Sequence, residues 1–263
     1  MTGASLLYVY AISRAESVAT GDLRGIDDQP VRAVSEGDLA AFVSEVPAEE
    51  FGEGPLNAHL PDMAWLTPRA VRHQEVNAAL ASSVDPLAPL SFGTVFHDRD
   101  GVRRMLRERA PEVGPTLERL RGKAEWIAVV RRDESVALAT LESESAAFRG
   151  VREGVAAAPP GRAYLIARRL DETKRVELRS TDAEAVAAAV DALGRSGVAL
   201  FREPLIEDAG AGMIARYSVL AGRGAAADLQ SVRDTIAKDW TARGYSLELT
   251  GPWPAYRFAT TAP

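Results

Sequence analysis

The sequence contains no cysteine, only three histidines among 263 residues, and no apolar run near the roughly 20 residues needed to span a bilayer. Without cysteine the chain can form no disulfide and use no thiolate chemistry, which suits a reducing compartment. No signal-like segment is visible at its start. We therefore expect a soluble cytoplasmic protein with no membrane span.

A basic surface is also missing. The net charge is −6, which argues against a nucleic-acid partner, because such proteins usually carry a basic footprint. Residues 1–62 hold eleven acidic residues against three arginines, a balance of −8, so the remainder carries +2. This asymmetry can steer a partner or dock two lobes together, although a solvated acidic surface is the simpler interpretation.

The residue patterns of catalytic, metal and cofactor sites are absent as well. His97, Asp98 and Asp100 could form half of a metal site, but the aspartates suit helix caps better and no second cluster has ligand spacing. His73 lies on a helical stripe, where a packed, hydrogen-bonded histidine is expected rather than a catalytic base. No nucleophile elbow or phosphate loop is present. We predict no catalytic residue, no metal and no cofactor.

Strand patterns dominate the first 46 residues. Residues 6–12 are β-branched and aromatic with almost no polar interruption, which predicts a central strand. Residues 31–35 and 39–46 predict two further strands, and Gly37 between them indicates a hairpin turn.

Residues 47–67 are rich in glycine and proline and are expected to form a long irregular segment. The segment carries Phe51, Leu60, Met63 and Trp65, too many large apolar side chains for a passive linker. These residues form either an apolar lip that receives a helix of a partner or a cover for the core of their own domain. Addition of a partner strand to an open sheet edge is a separate way to bind.

Helices and one strand are predicted up to residue 120. Thr67 and Pro68 predict a helix that starts at 67 and reaches about residue 83, and residues 89–96 predict a strand. A helix capped by Asp98 or Asp100 follows. It is expected to break at Pro111 and Pro115, with a separate helix over 116–120 and a solvated face of arginines at 103, 104, 107 and 109.

From residue 125 onward the predicted order is strand, helix, strand, strand, helix, strand. This order is typical of the ferredoxin-like fold, a four-stranded antiparallel sheet with both helices on one side. The strands are predicted at 125–131, 198–206, 213–220 and 245–249, the helices up to about 149, at 163–193 and at 225–243, and a turn at 208–212.

The segment 163–193 allows two interpretations. It contains neither glycine nor proline, which favours one long helix. The alternative is a hairpin of residues 164–170 against 175–179, followed by a helix from Asp182, because Thr181 and Glu184 have the spacing of a capping box.

The chain ends in a stiff aromatic segment. Pro252 and Pro254 flank Trp253 and hold φ near about −65°, so residues 251–258 are expected to run extended and to form neither a helix nor a central strand. We expect this strap to pin the chain end onto the amino-terminal lobe or the seam between domains. Its large apolar anchors are Trp253, Tyr256 and Phe258.

Five short motifs, spread along the chain, occur in an order that indicates a family resemblance. The first three are Leu7-Tyr8-Val9-Tyr10-Ala11, His73-x-x-Val76, and the segment from Pro89 to Phe96 that contains Phe92-Gly93-Thr94. The last two are Gly122-Lys123-Ala124-Glu125-Trp126 and the segment Gly251-Pro252-Trp253-Pro254-Ala255-Tyr256-Arg257-Phe258. In this order, over essentially the whole chain, the motifs resemble the gas vesicle protein F/L family (GvpF/GvpL).

Pattern and resemblance together predict a two-domain α+β protein. The amino-terminal domain, residues 1–123, is expected to be an α/β sandwich-like domain with a mixed or antiparallel sheet. Residues 124–250 are expected to form the ferredoxin-like domain (βαββαβ), and residues 251–263 the strap that packs back on the body.

The resemblance implies an accessory protein of gas vesicle assembly and no enzyme. Members of the family are thought to bind the small hydrophobic shell protein and to support nucleation or growth of the vesicle, and other accessory proteins are further candidate partners. Shell subunits with an apolar face aggregate unless they are shielded before assembly. Whether the protein stays in the vesicle as a minor component is left open. The alternative is a ligand-binding or regulatory module of ferredoxin-like type, which predicts a small-molecule pocket.

Overall fold

A computed structural model describes residues 4–17, 20–144, 148–150, 153, 159–197, 199–205 and 212–259, with the backbone only for residues 160–167 and 169. The structure is α+β and contains two antiparallel sheets. The chain divides into two compact units, Met1–Glu125 with Pro252–Pro263, and Trp126–Gly251.

The first sheet is built around the apolar amino-terminal strand. Its strands are β1 (Ser5–Arg14), β2 (Arg32–Glu36), β3 (Leu39–Pro47), β4 (Leu87–Pro89) and β5 (Val95–Phe96). The strand order is β2-β3-β1-β4. β5 also pairs with β1, through Leu7 and Tyr8, whereas β4 pairs with residues 11–13 of β1. All of these pairs are antiparallel. The predicted central strand and hairpin are confirmed, and Gly37 supplies the positive φ of 55° that the turn between β2 and β3 requires.

Helices cover this sheet and enclose its core. They are α1 (Ala48–Phe51), α2 (Glu53–His59), α3 (Met63–Ser83) and α4 (Arg99–Leu120). Tyr8 and Tyr10 of β1 share one cluster with Phe51, Val76 and Leu80, residues of α1 and α3. Side chains alternate along a strand, so Val9 points to the opposite face, and it is buried too. Helix α4 packs against β1, β2 and β3.

The start of α3 differs from the prediction. The helix begins at Met63 rather than Thr67, because the Asp62 carboxylate accepts hydrogen bonds from the backbone N–H groups of Ala64 and Trp65. Pro68 therefore lies inside the helix. Residues 47–62 are also less irregular than predicted, since α1 and α2 form there.

The predicted break in α4 is wrong. The helix is continuous through Pro111 and Pro115, and both prolines are exposed. The backbone carbonyls that lose their hydrogen bonds belong to residues four positions earlier, on the same exposed side, where water can bind them. The buried face of α4 keeps the helix in place across both positions, through Val113, Thr116, Leu117 and Leu120.

The predicted strand over 89–96 is also wrong, because two short strands form in its place. β4 ends at Pro89 and β5 starts at Val95, and a turn with Gly93 at φ 85° separates them. A residue with a side chain rarely adopts that conformation, so the glycine decides where the strand is interrupted.

The second unit contains the strands β6 (Lys123–Arg132), β7 (Ala199–Arg202), β8 (Met213–Gly222) and β9 (Tyr245–Trp253), in the sheet order β7-β8-β6-β9. Its helices are α5 (Glu134–Glu144), α6 (Pro160–Ser196) and α7 (Ala226–Trp240). Alternate residues of β6 and β8, together with Leu247 of β9, form one core with buried side chains of α6 and α7. Part of the predicted strand over 198–206 and most of the turn over 208–212 lie outside the described residues.

The segment from 163 to 193 is one helix, α6, and the alternative hairpin is not formed. Thr181 does not act as a helix cap. Its hydroxyl donates to the carbonyl oxygen of Glu177, one turn earlier in the same helix.

The aromatic carboxy-terminal segment is extended only in its first part. β9 continues through Gly251 and Pro252 to Trp253, which an edge strand tolerates because its outer side needs no donor. Residues Tyr256–Ala259 then form a short helix, α8, so the prediction of an extended chain up to 258 is wrong there. No helix among the described residues is long and apolar enough to cross a membrane.

Candidate functional site

The four apolar residues predicted for partner binding lie in different environments. Phe51 is fully buried in the core of the first unit, and Trp65 packs partly buried against the same cluster. Leu60 and Met63 are exposed, with 41% and 65% of their surface accessible. The segment therefore covers its own core with two of these side chains and presents the other two to solvent.

A charged and aromatic cluster joins α1, α2 and α3 in the same part of the chain. The Arg69 guanidinium lies 4.5 Å from the centre of the Trp65 ring and donates to Glu50 Oε2 over 2.7 Å. Trp65 Nε1 donates to the same carboxylate oxygen over 2.8 Å. His59 stacks on the Trp65 ring at 4.8 Å with an interplanar angle of 14°. The shared Glu50 carboxylate and the stacked rings therefore connect α1, α2 and α3 through charge-assisted and aromatic contacts.

A cleft of about 400 Å³ opens beside this segment, between α2 and β5. Its apolar lining comes from Leu6, Leu56, Val95 and Phe96. Leu60 follows Leu56 by four positions, which places it on the same side of the helical segment as the cleft lining. The exposed Leu60 therefore lies one helical turn beyond Leu56 of the cleft lining, although it does not line the cleft itself.

The polar rim of the cleft comes from Glu53, Asn57 and His97. Glu53 is exposed on α2, and among the described residues it forms no ion pair. The cleft thus combines an apolar lining with a carboxylate at its edge that pairs with no residue in the described part of the chain. Sequence reasoning did not bring these residues together, because they come from three separate parts of the chain.

A buried polar network connects the Phe92-Gly93-Thr94 motif to α3 and to the carboxy-terminal segment. The Tyr8 hydroxyl accepts from Gly93 N–H over 3.1 Å and lies 2.8 Å from His73 Nδ1. Asn77 Nδ2 lies 3.1 Å from His73 Nε2 and donates to the Tyr256 hydroxyl over 2.7 Å. Burial lowers the pKa of His73 to about 4, and burial raises the pKa of Tyr256 to about 12. His73 is thus a packed, hydrogen-bonded residue, as predicted.

The mid-chain motif has a visible structural role around Tyr8. Phe92 packs edge-on against Tyr8 at 5.8 Å and against His73 at the same distance. The carbonyl oxygen of Thr94 accepts from Val9 N–H over 2.8 Å, which continues the pairing of β5 with β1. The motif therefore positions β5, one wall of the cleft.

The carboxy-terminal motif contains both exposed and buried side chains. Trp253 is 48% exposed, whereas Pro254 is buried. The carbonyl oxygen of Phe258 accepts from the Arg119 guanidinium over 2.8 Å, and the backbone N–H of Arg257 donates to Glu125 over 2.8 Å. Gly251 is the residue of β9 with a φ of 144°, next to Pro252.

The groups considered for metal binding serve other purposes. Asp98 accepts from Gly101 N–H over 2.7 Å and caps α4, and Asp100 pairs with Arg103. Within the described ranges, no three His, Cys, Asp or Glu side chains lie close enough to hold a metal ion.

Comparisons with known proteins agree with the motif order. The sequence matches the family model described as gas vesicle synthesis protein GvpL/GvpF over residues 6–260. Gas vesicle protein L of Streptomyces sp. (strain CB03234) is 34% identical over 270 residues, covering 98% of this chain and 94% of that protein. Gas vesicle protein F of the same strain is 28% identical over 262 residues, covering 95% and 98%.

The fold is shared with a solved structure. The crystal structure of the gas vesicle protein GvpF from Anabaena sp. PCC7120 matches with a TM-score of 0.80 at 16% identity, covering 98% of this chain and 100% of that one. Since the family model spans nearly the whole chain and a full-length relative is 34% identical, the chain belongs to the GvpL/GvpF family of gas vesicle synthesis proteins.

Proposed function

We propose that this protein is a non-enzymatic accessory factor of gas vesicle assembly that binds the hydrophobic shell protein in the cytoplasm and assists nucleation or growth of the vesicle. Family membership supports a role in gas vesicle assembly. Exposed apolar side chains on an acidic, water-soluble unit are what a holder of an aggregation-prone subunit needs.

Two observations carry the proposal, the exposed side chains of Leu60 and Met63 and the apolar lining of the nearby cleft, and together they make up the proposed binding surface. Leu60 and Met63 are large aliphatic side chains, and they sit on a segment whose other apolar residues, Phe51 and Trp65, are anchored in the core. Such a surface can bind an apolar partner without unfolding its own unit.

Co-expression of the tagged protein with the shell subunit tests this function. We expect the shell subunit to co-purify and vesicles to float, and the Leu60→Ser, Met63→Ser double variant to lose most of the captured subunit. Val71→Ser is the matched control, because Val71 is exposed on α3 but lies outside the proposed surface. Equal solubility of the shell subunit with and without this protein would contradict the proposal.

Two structural features belong to this proposal, the fold of the second unit and the role of the carboxy-terminal segment. We propose that the second unit is a ferredoxin-like domain, supported by the strand order β7-β8-β6-β9 and by the core that α6 and α7 share. We also propose that residues 251–263 act as a strap, supported by the hydrogen bonds of Tyr256, Arg257 and Phe258 to residues of the first unit.

A further inference from the structure

We propose that the cleft between α2 and β5 takes an extended, apolar segment of the shell subunit that carries a basic side chain. This inference rests on the proposed function and assigns the binding site and the chemistry of the bound segment. Three features carry it: an unpaired strand edge, the size of the cleft and its charge.

The first feature is the open edge of β5. Among the described residues β5 pairs with β1 alone, through Leu7 and Tyr8. Backbone groups alternate between the two edges of a strand, and Thr94 faces β1, so the N–H and C=O of Val95 point away from β1, and Val95 is one of the residues that line the cleft. Neither group has a hydrogen-bond partner among the described residues, so both can pair with an added strand.

The second feature is the size of the cleft. A helix about 10–12 Å wide could lay only one face into a cleft of about 400 Å³, and it would leave the backbone groups of Val95 unpaired. An extended segment needs only alternate side chains to enter, and the floor of Leu6, Leu56 and Phe96 suits aliphatic ones.

The third feature is charge. Glu53 stands at the rim of the cleft without an ion pair among the described residues, whereas Glu50, on α1, is already paired with Arg69. Residues 1–62, which supply Leu6, Glu53, Leu56 and Asn57 of the cleft, carry a balance of −8, and a net negative charge attracts a positively charged segment. A lysine or arginine next to the apolar stretch would complete the pairing with Glu53.

Filling the cleft tests the site. We expect Asn57→Trp to lower the amount of co-purified shell subunit at least tenfold, because the indole would occupy the space of the bound segment. Ala58→Trp is the matched control, since Ala58 is exposed on the same helix but does not line the cleft. It should retain capture within twofold, and both variants should melt within a few degrees of wild type.

Two further comparisons test the chemistry. Val95→Pro removes the outward N–H and should lower capture more than Val95→Ala, which shortens the side chain alone. Glu53→Lys should lower capture more than Glu49→Lys, an equal change of charge on an exposed residue outside the cleft.

The outcomes separate the two proposals. Wild-type protein that captures no shell subunit overturns the proposed function and this inference with it. Wild-type capture that Asn57→Trp leaves unchanged overturns the cleft as the site and leaves the proposed function standing. Equal capture by Val95→Pro and Val95→Ala, or by Glu53→Lys and Glu49→Lys, overturns the extended conformation or the basic side chain, respectively.

Discussion

Asn77 of α3 and Tyr256 of α8 are 179 positions apart in the chain, and the Asn77 side-chain amide donates a 2.7 Å hydrogen bond to the Tyr256 hydroxyl. Asn77 is fully buried and also lies beside His73. This bond ties the end of the chain into the polar network of the first unit. It explains why an aromatic residue with a hydroxyl stands in the carboxy-terminal motif.

Removal of that hydroxyl should destabilise the first unit. We expect Tyr256→Phe to lower the free energy of unfolding by about 1 kcal/mol, because it leaves the buried amide of Asn77 with one partner fewer. Urea unfolding measures the change. In an Asn77→Ser background, which lacks the amide, Tyr256→Phe should have a clearly smaller effect; an equal effect in both backgrounds would mean that the bond contributes nothing.

Stability should depend on pH through His73. Its pKa is lowered from 6.5 to about 4 by burial, so at pH values between these two the unfolded chain binds a proton that the folded chain does not. The free energy of unfolding should therefore be constant above about pH 7 and fall as the pH drops, by up to about 3 kcal/mol at pH 4.

Denaturant titrations between pH 5 and 7, above the range where most carboxylates titrate, isolate this contribution. The His73→Gln variant should be less stable than wild type at pH 7, but its free energy of unfolding should no longer fall as the pH drops from 7 to 5. His97→Gln, which replaces an exposed histidine, is the control variant. A slope of the same size in His73→Gln would show that another group is responsible.

The Glu50 carboxylate should matter more than its neighbour Glu49. Glu50 accepts from both Arg69 and Trp65 Nε1, and Arg69 is mostly buried, so loss of the charge leaves only the longer 3.5 Å ion pair with Asp27 among the described residues. We expect Glu50→Gln to cost about 1–2 kcal/mol in thermal or urea unfolding. Glu49→Gln, at an exposed position, should change stability by less than about 0.5 kcal/mol. Similar small losses in both variants would contradict the role of the cluster.

Phe51 and Leu60 should respond in opposite ways to substitution by serine. Phe51 is fully buried, so Phe51→Ser should cost about 3–5 kcal/mol of stability through the lost burial and the cavity. Leu60→Ser should stay within about 0.5 kcal/mol of wild type while it weakens shell-subunit capture. Urea unfolding and co-purification measure the two effects. A folded Phe51→Ser protein with normal stability would contradict the position of Phe51 in the core.

The elements that depend on local pattern could be predicted well. The apolar run that became β1 and the turn at Gly37 follow from β-branched composition and from the need for a positive φ. The stripe of His73, Val76 and Leu80 on α3 follows from the 3.6-residue period. In each case the residues that decide the structure are neighbours along the chain.

Helix boundaries near prolines could not be predicted in the same way. Pro68, Pro111 and Pro115 looked like a start and two breaks, but all three lie inside helices, on exposed faces. A proline in a helix costs about 3 kcal/mol, and the buried apolar faces of α3 and α4 contribute more than this. Only the tertiary contacts show which of the two effects is larger.

The candidate site was predictable only in part. Composition indicated that residues 47–67 were too apolar for a linker, but not that Phe51 points inward and Met63 outward. The cleft joins Leu6 of β1, Leu56 of α2 and Phe96 of β5, and no periodicity links positions so far apart.

By itself, the sequence determined the α+β class, the main strands and helices, and the family, because composition, side-chain period and short motifs act over neighbouring residues. The tertiary structure alone decided which apolar side chains remain exposed, where Tyr256 is anchored and that a cleft opens beside β5. Those features arise from packing between segments that are distant in the chain, and burial is a property of the folded arrangement rather than of any one segment.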